Sequence, residues 1–189
     1  MIIDNYLSIG SIPMKTKTEK ILLVLKVLAW LALAGYIVQC GSQIISFGVS
    51  FFNPEAAKHI YGTSLALHEM YQHNQRYFIN IMSFLIALSA MHSYVWYSVA
   101  GMLTKLNLQE PFSRKVARTL EEIGIQMLGI WIVSVIAQQS VAWMAKNSGI
   151  QVGSLHAVNE YLFIAGIVYI ISQVFKRGIE IQEENELTV

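Results

Sequence analysis

Residues Lys105–Glu122 read KLNLQEPFSRKVARTLEE, a polar interruption set between two apolar runs that carry no charge. Its cations are Lys105, Arg114, Lys115 and Arg118, and no Asp, Glu, Lys or Arg occurs from Tyr77 to Thr104 before it or from Ile123 to Ala145 after it. Each flanking run exceeds the roughly 20 residues that an α-helix needs to cross a hydrocarbon core of about 30 Å. A helix on a soluble core keeps a polar stripe, whereas these runs are apolar nearly all round. The quoted segment is therefore expected to lie on one face of a membrane, between two spans.

The same reading extends outward. A further charge-free run covers Val27 to Pro54, and a shorter one covers Tyr161 to Phe175, which borrows apolar length from its flank. The apolar fraction of 54% would not decide the class; the distribution of charge does. The expected fold is an all-α integral membrane four-helix bundle, one domain over 1–189, with spans near 21–47, 77–104, 123–145 and 155–177. Cys40 is the only cysteine, which excludes an internal disulfide. Gln39 beside it does not suit a lipidation site, and the apolar run continues past Ala32-Leu33-Ala34 as a membrane helix does and a removed signal does not.

Charge sets the threading. Lys15, Lys17, Lys20, Lys26, Lys105, Arg114, Lys115, Arg118, Lys176 and Arg177 fall on one side, against Lys58, Arg76 and Lys146 on the other. Cations stay cytoplasmic, so both termini, the loop 105–122 and the acidic tail 178–189 are expected inside the cell. Locally, Asn53 and Pro54 suit the start of a short helix closed by Gly62, and Thr63 or Ser64 suits the cap of a helix running into the second span. Asn80, Ser83, Ala87, Ala90, Tyr94 and Gly101 make a stripe of the kind that lets membrane helices approach closely. Ser113 reads as an N-cap. Val116, Leu120, Ile123 and Met127 then share a face opposite Arg114, Lys115, Arg118, Glu121 and Glu122, an amphipathic interfacial turn before the third span.

Two motifs carry a resemblance. Glu110-Pro111-Phe112-Ser113 leading into Arg118-Thr119-Leu120, and the terminal Glu184-Asn185-Glu186-Leu187-Thr188-Val189, resemble the bacterial four-helix inner-membrane proteins of domain of unknown function 2975. That family commonly shows Asn-Pro-Phe at the turn and Glu-Asn-Asp-Leu-Thr at the tail, so Glu110 and Glu186 are mild departures. The likeness runs roughly from the second helix to the end. It implies a multi-pass protein of the bacterial cytoplasmic membrane with no established activity, and a small helix-turn-helix regulator as a cytoplasmic partner.

Candidate chemistry is sparse. His68-Glu69-Met70-Tyr71-Gln72-His73 nearly spells a zinc-protease motif, but its histidines are five apart, roughly 140° around a helix, and cannot face one metal. His59, His68, His73 and His156, with Glu69 and Glu160, fall on the outer side, where loop histidines are commoner than a metal site. No catalytic residue, metal or cofactor is expected. His92 is the sharper case: an ionisable group near mid-bilayer is either functional or a neutral, hydrogen-bonded packing element. Gln39, Gln43 and Gln138 could converge on it as a small polar pocket, or serve as interhelical hydrogen bonds in a dry bundle. At the cytoplasmic level Arg114, Lys115 and Arg118 meet Glu180, Glu183 and Glu184, which leaves three readings: pairing within the molecule, binding of anionic headgroups, or docking of a soluble protein. The expected function is non-enzymatic, sensing or regulatory. A small-solute transport or immunity component using His92 and the glutamines is the alternative, and a metalloenzyme is a distant third. The expected partners are the bilayer and a cytoplasmic protein, without direct nucleic-acid contact; a homo-oligomer stays open.

Overall fold

A computed structural model describes residues 17–53, 67–106, 113–149 and 158–186. Among the described residues there are five helices: α1 (Lys17–Phe52), α2 (Leu67–His73), α3 (Gln75–Lys105), α4 (Arg114–Ser148) and α5 (Val158–Glu186). All but α2 are long and apolar enough to cross a membrane. At 1.5 Å per residue the four measure roughly 45 to 55 Å, more than the hydrocarbon requires. The surplus turns carry the charge. Each of the first three expected spans lies inside one helix, and the fourth does so from Val158 onward.

Neighbours in the chain are neighbours in space: α1 packs on α3, α3 on α4, and α4 on α5. Every pair is antiparallel. Late α1 meets early α3 at Phe47 and Phe78, while Tyr36 meets His92. Tyr77 meets Trp143, and Glu121 meets Lys176. The result is an up-down bundle. One end of it gathers Lys17, Lys20, Lys105, Arg114, Lys115, Arg118, Lys176 and Arg177. Two apolar clusters fill the interior. Toward the opposite end α2 folds in, with Leu67 and Met70 against Phe78, Ile81, Met82, Val141 and Met144. Nearer the charged end Val95, Ile123, Met127, Ile130 and Ala165 form the second. Outward the helices show Leu31, Val38, Phe163 and Ile170, all more than half exposed. Water would not tolerate so continuous an apolar surface; lipid requires it.

The caps explain the breaks. Ser113 has extended backbone and its Oγ accepts the Val116 N–H at 3.3 Å, as its sequence position predicts. Gly149 ends α4 in the left-handed region at φ 70°, with its N–H donated to the Ala145 carbonyl. The Asn53 N–H is donated to the Val49 carbonyl at 2.8 Å, closing α1; the expected helix from Pro54 to Gly62 and the caps at Thr63 or Ser64 lie outside the described residues. A helix running unbroken into the second span is not what forms. Asn74 interrupts it, with extended backbone and Oδ1 accepting the Arg76 N–H at 2.9 Å, so α2 ends at His73 and α3 begins at Gln75.

The amphipathic segment before the third span forms the first turns of α4, continuous with the span. Val116, Ile123 and Met127 are buried as their shared face predicts, and Ala117 joins them. The small-residue stripe of α3 does not mediate close packing among the described residues: Asn80, Ser83, Ala87, Ala90 and Tyr94 face outward, and a Cβ on the half-buried Gly101 would meet nothing within 4 Å. The inward face is instead Phe78, Ile81, Met82, Ser89, Val95 and Ala100. Close approach occurs between α4 and α5, at Gly124, where a Cβ would stand 3.2 Å from the Tyr169 backbone nitrogen.

That contact yields an expected outcome. Gly124→Ala pushes a methyl against backbone that cannot swing aside, and should lower stability by about 1 to 2 kcal/mol. Gly35→Ala adds its methyl to open space, so the helix-propensity gain of about 0.5 to 1 kcal/mol should dominate there. Unfolding of both variants in detergent checks the opposite signs.

Candidate functional site

The middle of α3 places His92 among three helices. Its Nδ1 lies 2.7 Å from the Leu88 carbonyl oxygen, one turn back. A carbonyl only accepts, so Nδ1 carries the hydrogen and Nε2 is left as the acceptor. Nε2 is enclosed and has no hydrogen-bond partner among the described residues. The Tyr36 ring of α1 stacks on the imidazole at 5.0 Å and 7°. The Tyr161 ring of α5 meets it edge-on at 5.3 Å and 64°. Aromatic contacts of this kind contribute about 0.5 to 1.5 kcal/mol each beyond area burial.

The glutamines are disposed differently. Ser89 Oγ donates to Gln43 Oε1 at 2.8 Å, an interhelical bond between α3 and α1. Gln39 is exposed, and Gln138 is half-buried on α4. The side chains shown packing on the His92 ring are those of Tyr36 and Tyr161. Tyr36 and Tyr161 were not singled out by the sequence, although a hydroxyl-bearing ring inside a charge-free run, where Phe would serve packing alone, was the available signal. Two polar atoms of α4, Gln126 Oε1 and Trp131 Nε1, are likewise buried without a partner among the described residues.

The charged end is built from the first turns of α4 and the last turns of α5. The Arg114 fork grips Glu183 twice, with Nη2 at 2.7 Å from Oε2 and Nε at 3.0 Å from Oε1. Lys176 Nζ donates to Glu121 Oε1 at 2.8 Å, also across the two helices. Within helices, Arg118 bonds Glu122 at 3.2 Å and Arg177 bonds Glu180 at 2.7 Å. Between α4 and α5 lies a cleft of about 410 Å³ that sets Arg114, Arg118 and Lys176 against Glu121, Glu180 and Glu183. Of the candidates here, the structure brings Arg114 and Glu183 into direct contact, lines the cleft with Arg118 and Glu180, and leaves Lys115 and Glu184 exposed. Pairing within the molecule is thus realised. All these pairs are solvated to a large extent, so each contributes little to stability.

Among the described residues no three His, Cys, Asp or Glu side chains gather as a metal site. His68 Nε2 lies 3.0 Å from Gln72 Nε2, and the His73 ring lies beside Tyr77; His59 and His156 are outside the described residues.

Four long antiparallel helices, apolar toward the outside and charged at one end, define a multi-pass membrane protein. A family model described as "Protein of unknown function (DUF2975)" matches residues 63–189, and the chain belongs to that family. The match begins just ahead of α2 and takes in both motifs that carry the resemblance, leaving α1 before it. No curated protein and no solved structure matches the chain.

A pair of substitutions separates the two halves of the His92 environment. His92→Phe keeps a ring between Tyr36 and Tyr161 while removing an enclosed, unpaired nitrogen. A buried polar group without a partner costs about 1 to 3 kcal/mol, so this variant should be as stable as the parent or more so. His92→Ala loses both ring contacts and should cost about 2 to 4 kcal/mol. Equal destabilisation of both in a detergent melt would mean that Nε2 has a partner after all.

Proposed function

We propose that this chain is a non-catalytic sensor or regulator of the bacterial cytoplasmic membrane, and that its charged end docks a soluble protein inside the cell. The observation that carries this reading is the cleft between α4 and α5, where three cations face three carboxylates at the bundle's end. These pairs are exposed: the side chains of Arg114 and Glu183 keep 79% and 47% of their surface in solvent. An exposed pair is worth too little to lock the fold, so a partner's carboxylate or guanidinium can replace one member at small net cost. Geometry adds specificity, because a bidentate fork selects a planar carboxylate.

Orientation follows from the bias of cations. Nine described Lys and Arg residues, with Lys26 the furthest inside its helix, lie toward the end that also holds the start of α1 and the end of α5, against Arg76 and Lys146 toward the other end. That asymmetry supports a cytoplasmic position for the cleft and for both termini. A small helix-turn-helix regulator, the partner suggested by the family resemblance, fits the role. Direct contact with nucleic acid does not, since the cleft's cations are already matched by carboxylates. A transport or immunity component is the second reading, and its support is the open acceptor at His92 Nε2. It is the weaker one, with Gln43 engaged by Ser89 and Gln39 turned outward.

Reversal of Arg114, Lys115 and Arg118 to Glu should abolish photo-crosslinking from a probe at Glu180 to a co-purifying soluble protein, whereas His92→Ala should leave it unchanged. A transporter would show the opposite pattern. A reporter enzyme that works only outside the cytoplasm, fused after Arg118, should be inactive; activity there would overturn the orientation.

A further inference from the structure

Two clefts flank the start of α4, and they differ in charge. Residues 114, 118 and 121 recur at four and three, which turns them to the α5 side, where each cation meets a carboxylate. Residues 115 and 119 lie on the next face, toward α3. There a second cleft of about 180 Å³ is walled by Tyr97, Met102 and Lys105 of α3 and by Lys115 and Thr119 of α4, with the cap residue Ser113 at its rim. Among the described residues no carboxylate lines it. Neither Lys105 nor Lys115 has an acidic partner among the described residues. Two ammonium groups turned into one cleft repel each other, and an anion between them relieves the repulsion.

The cleft also straddles a boundary. Tyr97 and Met102 belong to the charge-free run that ends at Thr104, whereas Lys105 and Lys115 stand just beyond it. Its mouth is therefore cationic and its inner wall apolar, with Val116 buried behind it. Tyr97 is 61% exposed, the residue type that seats its ring at headgroup depth with the phenol toward water. Ser113 Oγ accepts from the Val116 N–H, which leaves its own proton free to donate. A free anion in solution would use the mouth alone. A phospholipid would use both parts, with phosphate on the lysines and glycerol and acyl chain along the apolar wall.

We propose that the α3–α4 cleft is a binding site for the phosphate headgroup of an anionic phospholipid, held by Lys105 and Lys115. The α4–α5 cleft, internally neutralised, does not compete for it. This assignment does not depend on the docking role of the other cleft.

The full chain, purified in an uncharged detergent, tests it by native mass spectrometry with phosphatidylglycerol and phosphatidylcholine. The parent should retain phosphatidylglycerol in preference. The double variant Lys105→Gln, Lys115→Gln should bind it about twenty-five-fold more weakly, at about fivefold per lysine. The variant Lys17→Gln, Lys20→Gln removes the same charge from the same end but away from the cleft, and should stay within about twofold. Equal loss in both double variants would reduce the effect to diffuse attraction and overturn the site. So would phosphatidylcholine binding as tightly, or inorganic phosphate protecting the protein against heat as well as the lipid does. Should the double variant fail to elute as a folded species, Lys115→Gln alone carries the test, with about a fivefold loss expected.

Discussion

Hydrocarbon cannot hydrogen-bond a peptide group, so a chain inside it must satisfy its backbone within each segment and keep ionised side chains out. The consequences can be followed through the whole molecule. Four long helices satisfy the backbone, and the charges are displaced to their ends. Because lipid is as apolar as a leucine side chain, burial no longer drives these helices together. Association must come from fit and from polar contacts. Gly124 against the Tyr169 backbone supplies the first, and Ser89 on Gln43 the second. The buried serines show the same economy: Ser50 and Ser172 return their hydroxyls to carbonyls of their own helices, so they add no unpaired donor to the interior.

Displacing the charges makes the end of the bundle the place where this chain has most freedom to interact. The cross-helix pairs Arg114–Glu183 and Lys176–Glu121 align the projecting turns of α4 and α5. Their free energy is small where solvent reaches them, and the Lys176–Glu121 pair is the better sheltered of the two. The same helix start offers paired charge on one flank and, on the other, lysines without an acidic partner among the described residues. That difference arises from a single turn of α4, in which adjacent residues diverge by about 100°. A membrane and a protein partner could therefore be met by neighbouring surfaces, with Lys115 at the boundary between them.

Much of the architecture was legible in the residues because it depends on local features. The spans follow from the absence of charge, and the start of α4 follows from Ser113 placed before a periodic apolar face. Where sequence reasoning failed, long-range geometry was the reason. Asn74 sits in a run of polar and aromatic residues that continues helical periodicity on both sides, so only its backbone reveals the break. The stripe from Asn80 to Tyr94 says that a face can be approached closely, but not which helix approaches it. For His92 the gap is widest. Tyr36 and Tyr161 lie far from it in the chain, and no periodicity links them. Charge complementarity was more informative, since Arg114 and Glu183 could be assigned to one membrane level before their contact was known.

The two regions of interest share one element. The His92 environment is assembled by α1, α3 and α5, and the charged cleft by α4 and α5. Of the four long helices, α5 has the least buried apolar segment, and it packs chiefly on α4. Displacing it by one turn, about 5.4 Å, would carry Tyr161 away from the imidazole and Glu183 away from Arg114 together. It is seated on α4 through Ala165 in the second apolar cluster and through the close approach at Gly124, so such a shift would have to break that packing as well as the solvated ion pairs. Coupling between two sites is a free-energy difference between states, not a matter of distance. The shared helix supplies the geometric condition for it: any state that moves α5 must alter both the Tyr161 ring against His92 and what the cleft presents.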